Sequence, residues 1–138
     1  MSKKQKTLPQ LKKELDKWFS LYIRLKNALP NGLTICWTCN AVKNYKEMHA
    51  GHFQSRRFLA TRWDSEIGNV QVQCPKCNLF NQGEQYTFGK LLDVRVGDGT
   101  SDKLVKLART TIKFMRCDYE EMIELYKNKV KKLIERCE

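Results

Sequence analysis

The chain has 138 residues, of which 41% are hydrophobic, so it has the size of one domain with a modest core. Its 26 Lys and Arg residues against 15 Asp and Glu residues give a formal net charge of +11. This balance suits a polyanion such as nucleic acid, although a solvated lysine-rich surface is the alternative interpretation. No stretch approaches the ~20 apolar residues of a membrane span, and no apolar segment follows the basic start. We therefore expect no membrane contact, no secretory signal and a reducing cytoplasm.

The first predicted element is a helix over residues 8–28. Thr7 and Gln10 form a capping-box pattern, and the helix should end before the turn residues Pro30-Asn31-Gly32. Apolar residues recur at helical spacing through Leu11, Leu15, Trp18, Tyr22 and Leu25.

The middle of the chain changes pattern, and short strands are predicted over residues 33–37, 48–53 and 70–73. An irregular basic segment joins the last two strands, and residues 78–88 are predicted to begin as a short helix and end as a loop. Two helices should follow, one over residues 101–116 and one from Asp118, where Glu121 completes a capping-box pattern. We therefore predict a single domain, 1–138, comprising an N-terminal helix (8–28), a metal-bound core (33–88) and a C-terminal helical pair (101–137).

Two matched C-x-x-C pairs stand in this core. Cys36 and Cys39 form the first pair, and Cys74 and Cys77 form the second. Each pair can place two thiolates on one edge of a tetrahedral Zn²⁺, and close cysteine pairs in a reducing compartment bind metal more often than they form disulfides. Four thiolates leave no open position, so the spacing predicts a structural zinc. Cys117 and Cys137 are interpreted as ordinary small apolar residues.

The segment between the cysteine pairs carries both histidines, His49 and His52, and it is followed by Asn69 and Asn78. Phosphodiester hydrolysis needs a neutral imidazole to take a proton from water and a divalent cation beside the phosphate. Because the strand of His52 and the segment after Cys77 would be tied to the same zinc, Asn78 should lie near His52. A histidine of the zinc core without a catalytic role is the alternative for His52.

The order Cys-x-x-Cys, then Gly-His, then Asn-Val-Gln-x-x-Cys-x-x-Cys-Asn resembles the HNH endonucleases. The resemblance covers residues 36–83, and it implies His52 as the general base, Asn69 as the brace of the base-bearing loop and Asn78 as a ligand of the catalytic cation. It also implies the fold class: α+β, with a small zinc-bound treble-clef or ββα-metal (HNH) core flanked by N-terminal and C-terminal α-helices.

A closer resemblance is to the NinG (Rap) family of phage recombination proteins, which cut branched DNA such as Holliday junctions. It is carried by Ala50-Gly-His52-Phe53, Ser55-Arg56, Arg62-Trp63-Asp64, Asn69-Val70, Gln73-Cys74, Cys77-Asn78 and Gly83, with Tyr86 after the core. The resemblance implies a metal-dependent endonuclease in the cytoplasm of a bacterial host, acting on branched DNA. Because a junction has two-fold symmetry, it also implies a homodimer. The apolar faces of the terminal helices could form its interface or could equally pack against each other within one chain.

The chain departs from the HNH pattern at Gly51, because many HNH enzymes place a metal-binding Asp or His immediately before the general base. We predict that His49 replaces this ligand, with a surface histidine as the alternative. Residues 49 and 52 of a regular strand face opposite sides, so this role requires a bulge or turn at Ala50-Gly51. The expected catalytic cation is Mg²⁺ or Mn²⁺, since the ligands are hard or borderline. Gln82 is a further candidate ligand.

Arginines beside the presumed base are candidate phosphate contacts. Arg56, Arg57 and Arg62 lie between the His52 strand and Asn69, and aromatic residues interleave with them. Asp64 should cap a turn or pair with an arginine rather than bind a cation. Two other functions stay open at this stage: a zinc-dependent nucleic-acid-binding module without catalysis, and an HNH nuclease acting on linear duplex DNA.

Overall fold

A computed structural model describes residues 4–137, except for the side chain of Cys137. The chain opens with helix α1, Leu8–Leu25, which starts at the predicted capping box: the Thr7 side chain accepts from the Gln10 N–H, and the Gln10 side chain accepts from the Thr7 N–H. The predicted beginning is confirmed, and the helix ends earlier than expected.

The longest helix, α5, covers Arg116–Cys137 and packs against α1. Their apolar faces form one core cluster, to which α1 contributes Leu11, Leu15, Phe19 and Ile23 and α5 contributes Tyr119, Ile123 and Tyr126. These apolar faces are therefore buried within one chain, which removes the interface that we suggested for a homodimer.

Two antiparallel strand pairs form the middle of the described chain. Strand β1 (Leu33–Ile35) pairs with β2 (Val42–Asn44), and β3 (His49–His52) pairs with β4 (Val70–Gln73). Strand β2 was not predicted, whereas the other three strands are confirmed. The β1–β2 pair flanks the first cysteine pair, and the second cysteine pair follows β4 directly. Both cysteine pairs are therefore anchored by backbone hydrogen bonds between strands.

The remaining elements are helical, and here the sequence-based expectations were partly wrong. Helix α2 is one turn, Leu59–Arg62, and a π-helical turn, Lys76–Phe80, contains Cys77. Helix α3 covers Gln85–Arg95, where a loop had been predicted over its first part and no helix over the rest. Helix α4 covers only Thr100–Ala108, and residues 109–115 are not helical.

The start of α5 also differs from the prediction. Asp118 lies inside the first turn and its carboxylate accepts the backbone N–H of Met115 at 2.7 Å. Asp118 therefore caps the helix from within, instead of serving as the residue before it.

Among the described residues, buried apolar side chains form separate clusters. Besides the α1–α5 cluster there is one around the cysteines with Met48 and Val72, and one formed by Phe88, Leu92 and Leu104 from α3 and α4. None of the helices in the described part of the chain is long and apolar enough to cross a membrane.

Candidate active site and metal centre

The four cysteines of the two C-x-x-C pairs meet in space. Their sulfur atoms all lie within 4.8 Å of one another, and the Sγ atoms of Cys39 and Cys74 are 3.6 Å apart. Sulfurs about 2.3 Å from one tetrahedral zinc would be separated by about 3.8 Å, so the donor set fits such an ion. The four cysteines can thus hold a metal ion such as zinc, while Cys117 is exposed on α5.

The protonation of the cysteines also suits metal binding. Burial raises the pKa of Cys36, but hydrogen bonds from the Thr38 side chain and from the backbone outweigh burial and lower the pKa to about 6. Burial raises the pKa of Cys77 to about 12. The metal-free cluster therefore retains protons that a bound metal would displace, so metal affinity should fall in acid.

A cleft of about 640 Å³ lies between α1 and β3. One wall comes from α1, the floor from β3, and the other wall from the segment that follows Cys77. Of the predicted site residues, the cleft brings together His49, His52, Arg56, Asn78 and Gln82. Three others, Asn69, Arg57 and Arg62, do not line it.

His52 is held by a single hydrogen bond whose direction is known. Its Nε2 lies 2.9 Å from the backbone carbonyl of Arg62, and a carbonyl only accepts, so Nε2 carries the proton. In the neutral ring, Nδ1 is therefore the acceptor, and it receives no hydrogen bond from residues 4–137. Burial lowers the pKa of His52, partly offset by the bond to Arg62. The ring is neutral at physiological pH and can accept a proton at Nδ1.

His49 and Asn78 form a second pair in the same cleft. The amide Nδ2 of Asn78 donates to Nδ1 of His49 at 3.1 Å. The amide oxygen of Asn78 is of the ligand type that suits Mg²⁺ or Mn²⁺, whereas the imidazole of His49 is a softer ligand that suits transition metals better than Mg²⁺. No thiol lines the cleft within the described residues. That His49 and Asn78 bind a catalytic cation stays a prediction.

Strand β3 has neither the bulge nor the turn at Ala50-Gly51 that we expected the His49 role to require. His49, Ala50, Gly51 and His52 pair in consecutive register with residues 73 to 70 of β4. Both histidines nevertheless line the cleft.

Gly51 has a different role from the one expected. A Cβ at this position would lie 1.8 Å from Oε1 of Gln73, whose side chain crosses the strand here. The Gln73 amide donates to the Thr38 hydroxyl and to the Gly83 carbonyl at 3.1 and 2.9 Å. Gln73 thus ties the first cysteine pair to the wall of the cleft, although its own Oε1 has no partner among the described residues.

Asn69 and Asp64 shape the loop after His52. Asn69 is fully buried and its side chain bridges the Gln54 backbone and the Thr61 carbonyl. The Asp64 carboxylate accepts four backbone N–H groups, those of residues 66 to 69, at 2.9 to 3.1 Å. The capping role of Asp64 is confirmed. The bracing role of Asn69 stays a prediction, which its contacts with the Gln54 backbone and the Thr61 carbonyl support.

A family model described as the bacteriophage lambda NinG protein matches residues 2–136. The chain belongs to the NinG family. Curated proteins and solved structures gave no match.

The three predicted arginines of this NinG-family chain lie in different surroundings. Arg56 is exposed at the cleft and 3.7 Å from Asp16. Arg57 is exposed away from the cleft, with its guanidinium 4.7 Å from the Phe58 ring centre. Arg62 is largely buried and forms two hydrogen bonds with Asp16, so its guanidinium is engaged by protein. Phosphate contact stays a prediction for all three.

Helix α1 supplies cleft residues that sequence reasoning missed in this NinG-family chain. Asp16, Ser20 and Arg24 all line the cleft, and Arg24 donates to the Tyr45 carbonyl at 3.1 Å. Their helical spacing on the polar side of α1 was visible in the sequence. Nothing in it indicated that this side would face a cleft formed by a distant strand.

Proposed function

We propose that this NinG-family protein is a metal-dependent DNA endonuclease of the HNH type, with a preference for branched DNA such as Holliday junctions during phage recombination. The observation that carries the proposal is a single cleft. It contains a neutral imidazole with an acceptor nitrogen at His52 and, beside it, the cation-suited pair of His49 and Asn78.

His52 is the proposed general base. A water molecule attacks the phosphorus of a phosphodiester, and its proton passes to Nδ1 of His52. A bond forms between the water oxygen and phosphorus, and the bond from phosphorus to the leaving sugar oxygen breaks. The Arg62 carbonyl holds the Nε2 proton throughout, which keeps the base in the productive tautomer.

His49 and Asn78 are the proposed ligands of a catalytic Mg²⁺ or Mn²⁺. Such a cation, when bound, supplies positive charge against the phosphate and the leaving oxygen. The hydrogen bond between the two side chains keeps them adjacent, and a cation bound at Nδ1 of His49 would replace it. Neither His52 nor any thiol is needed in this ligand set.

The cysteine cluster is proposed to be a structural zinc site that fixes the cleft. Asn78 follows Cys77 directly, and β4, which ends just before Cys74, holds β3 by its ladder. This order of two strands and a helical turn around four cysteines supports the ββα-metal assignment, with α1 and α5 as flanking helices.

The proposed substrate follows from charge and family. Arg24, Lys46 and Arg56 line the cleft, and the whole chain has a formal net charge of +11. Positive charge around the base favours phosphate binding. The preference for branched DNA rests on the resemblance within the NinG family, and the homodimer that a symmetric junction favours is part of the same proposal.

The test compares wild-type protein with His52→Ala on a labelled four-way junction and a matched linear duplex, with and without Mg²⁺ or Mn²⁺. Metal-dependent cutting of the junction is expected from the wild type, and binding without cutting from the variant. Zinc content and the melting temperature serve as folding controls for both proteins.

Two outcomes would contradict the proposal. Binding without cutting by both proteins under every metal would favour a zinc-dependent nucleic-acid-binding module. Equal cutting of duplex and junction would retain the HNH nuclease but replace branched DNA with linear duplex as its substrate.

A further inference from the structure

The orientation of His52 depends on the backbone of residue 62. Its Nε2–H donates to the Arg62 carbonyl at 2.9 Å, and this is its one side-chain hydrogen bond to the described residues. Any movement of that carbonyl would release the ring and allow the other tautomer. The residue that holds this carbonyl in place therefore determines whether Nδ1 can act as a base.

The local chain does not hold the carbonyl by itself. Arg62 is the last residue of α2, a single turn whose preceding residue, Phe58, provides no side-chain cap. A helix of one turn has little intrinsic stability, so its position depends on tertiary contacts. The Asn69 amide provides one such contact through the Thr61 carbonyl.

Asp16 of α1 provides further contacts, on both sides of the carbonyl. They add to the hydrogen bond from Arg62 to the Arg56 carbonyl and to the packing of the Trp63 ring against Phe114 and Tyr119. Its carboxylate accepts from Nε and Nη2 of Arg62 at 3.2 and 2.6 Å. It also accepts the indole N–H of Trp63 at 2.9 Å. The Arg62 and Asp16 side chains are only 18% and 23% exposed, so solvent screens this pair less than a surface ion pair.

We propose that Asp16 is the positioning residue of this site: through Arg62 and Trp63 it fixes the carbonyl that sets the orientation and tautomer of His52. The proposal rests on the proposed function, in which His52 is the base. Helix α1, which lies outside the zinc-bound core, thereby becomes part of the active site.

The Asp16→Asn variant tests this proposal. Asparagine has nearly the same shape as aspartate but lacks the negative charge that holds the Arg62 guanidinium. The matched control is Glu14→Gln on the same helix, because Glu14 pairs with the exposed Lys6 and does not line the cleft. The first readout is the tautomer of His52 in zinc-loaded protein, measured by ¹⁵N NMR of the imidazole rings, of which the chain has two. The second readout is kcat, KM and the pH–rate profile on junction DNA.

The expected result is a mixed His52 tautomer in Asp16→Asn and the Nε2–H tautomer in wild type and Glu14→Gln. Partners that orient a functional histidine typically contribute about 10- to 100-fold in activity, so kcat should fall by about that factor with KM within about two-fold. The acid limb of the profile should move to lower pH, because the negative charge of Asp16 favours protonated His52. A loss of folded protein alone would not move it.

An unchanged tautomer together with an unchanged kcat in Asp16→Asn would overturn the proposal. If wild type cuts no substrate but Asp16→Asn still mixes the tautomer, the proposed function fails and the positioning role stands. Should Asp16→Asn not fold, Arg62→Lys retains the charge and loses the two-bond fork. The His52 tautomer in Arg62→Lys is then measured in the same way: a mixed tautomer supports the proposal, and an unchanged tautomer overturns it.

Discussion

At the residue scale, one hydrogen bond and burial together suit His52 to its proposed role as a general base. The Arg62 carbonyl occupies Nε2, and burial is the largest influence on the pKa of the ring, which it lowers below the ordinary value of 6.5. The nearby Arg56 charge lowers the pKa further, whereas the bond to Arg62 raises it. The ring thus remains an acceptor at a pH where an exposed histidine is half protonated.

This makes a prediction for the pH dependence of cleavage. Protonated His52 cannot accept a proton, so kcat/KM should be lost as pH falls through its lowered pKa and should be flat above it. The midpoint of the acid limb is expected below pH 6.5, measured on junction DNA at constant ionic strength and saturating Mg²⁺. A midpoint above pH 7 would contradict the assignment of His52 as a buried base.

Several candidate site residues lie together, as the sequence predicted for physical reasons. The two cysteine pairs had to converge to form a tetrahedral site, and this convergence brings residue 78 and β3 to one cleft. Asp16 could not be predicted in the same way, because it lies 46 residues from Arg62 and no local pattern couples them. The hydrogen bonds between Arg62 and Asp16 could not be predicted for the same reason.

At the scale of elements, the β3–β4 pair depends on the absence of a side chain at Gly51. Ala at this position would force the Gln73 amide away from the Gly83 carbonyl and the Thr38 hydroxyl. Overpacking a buried site typically costs about 1–3 kcal/mol, and the lost hydrogen bonds add to this cost. Gly51→Ala should therefore lower the free energy of unfolding by about 1–3 kcal/mol or more. Urea denaturation of zinc-loaded protein measures this change.

Ala50→Gly is a useful comparison on the neighbouring residue, because it changes the strand without filling the space that Gln73 occupies. It should lower stability by about 1 kcal/mol or less. Equal stability of Gly51→Ala and wild type would show that Gln73 can leave its position at no cost.

The helical elements show where sequence patterns were insufficient. Helix α3 buries only Phe88 and Leu92, while Val94 at 80% exposure breaks the apolar periodicity that would have revealed it. Its stability comes from contacts with residues distant in sequence, such as Trp37, whose ring centroid lies 4.9 Å from that of Phe88. The helix predicted over residues 101–116 ends early, at Ala108, and the apolar residues Ile112 and Met115 beyond it are exposed.

At the scale of the whole molecule, the chain has separate apolar clusters that are stabilised in different ways. The α1–α5 cluster is a conventional helical core, whereas the cluster around the cysteines has few apolar side chains beyond Met48 and Val72. A metal would supply the folding free energy that such a small cluster lacks. The cleft lies between these two parts, so one wall depends on apolar packing and the other on the cysteine cluster.

Removal of the metal should therefore affect the two parts unequally. We expect that a chelator abolishes amide-exchange protection in β1, β2 and the π-helical turn, while the middle of α1 and α5 keeps protection because its apolar contacts do not involve the cysteines. Cys39→Ser should lower the zinc content of the protein and, like the chelator, the amide-exchange protection of these elements. Cys117→Ser is the matched control, since this exposed cysteine lies outside the cluster and its loss should leave zinc content and protection unchanged. Uniform loss of protection over all helices would instead show that the molecule unfolds as one unit, with α1 and α5 as dependent on the metal as the strands are.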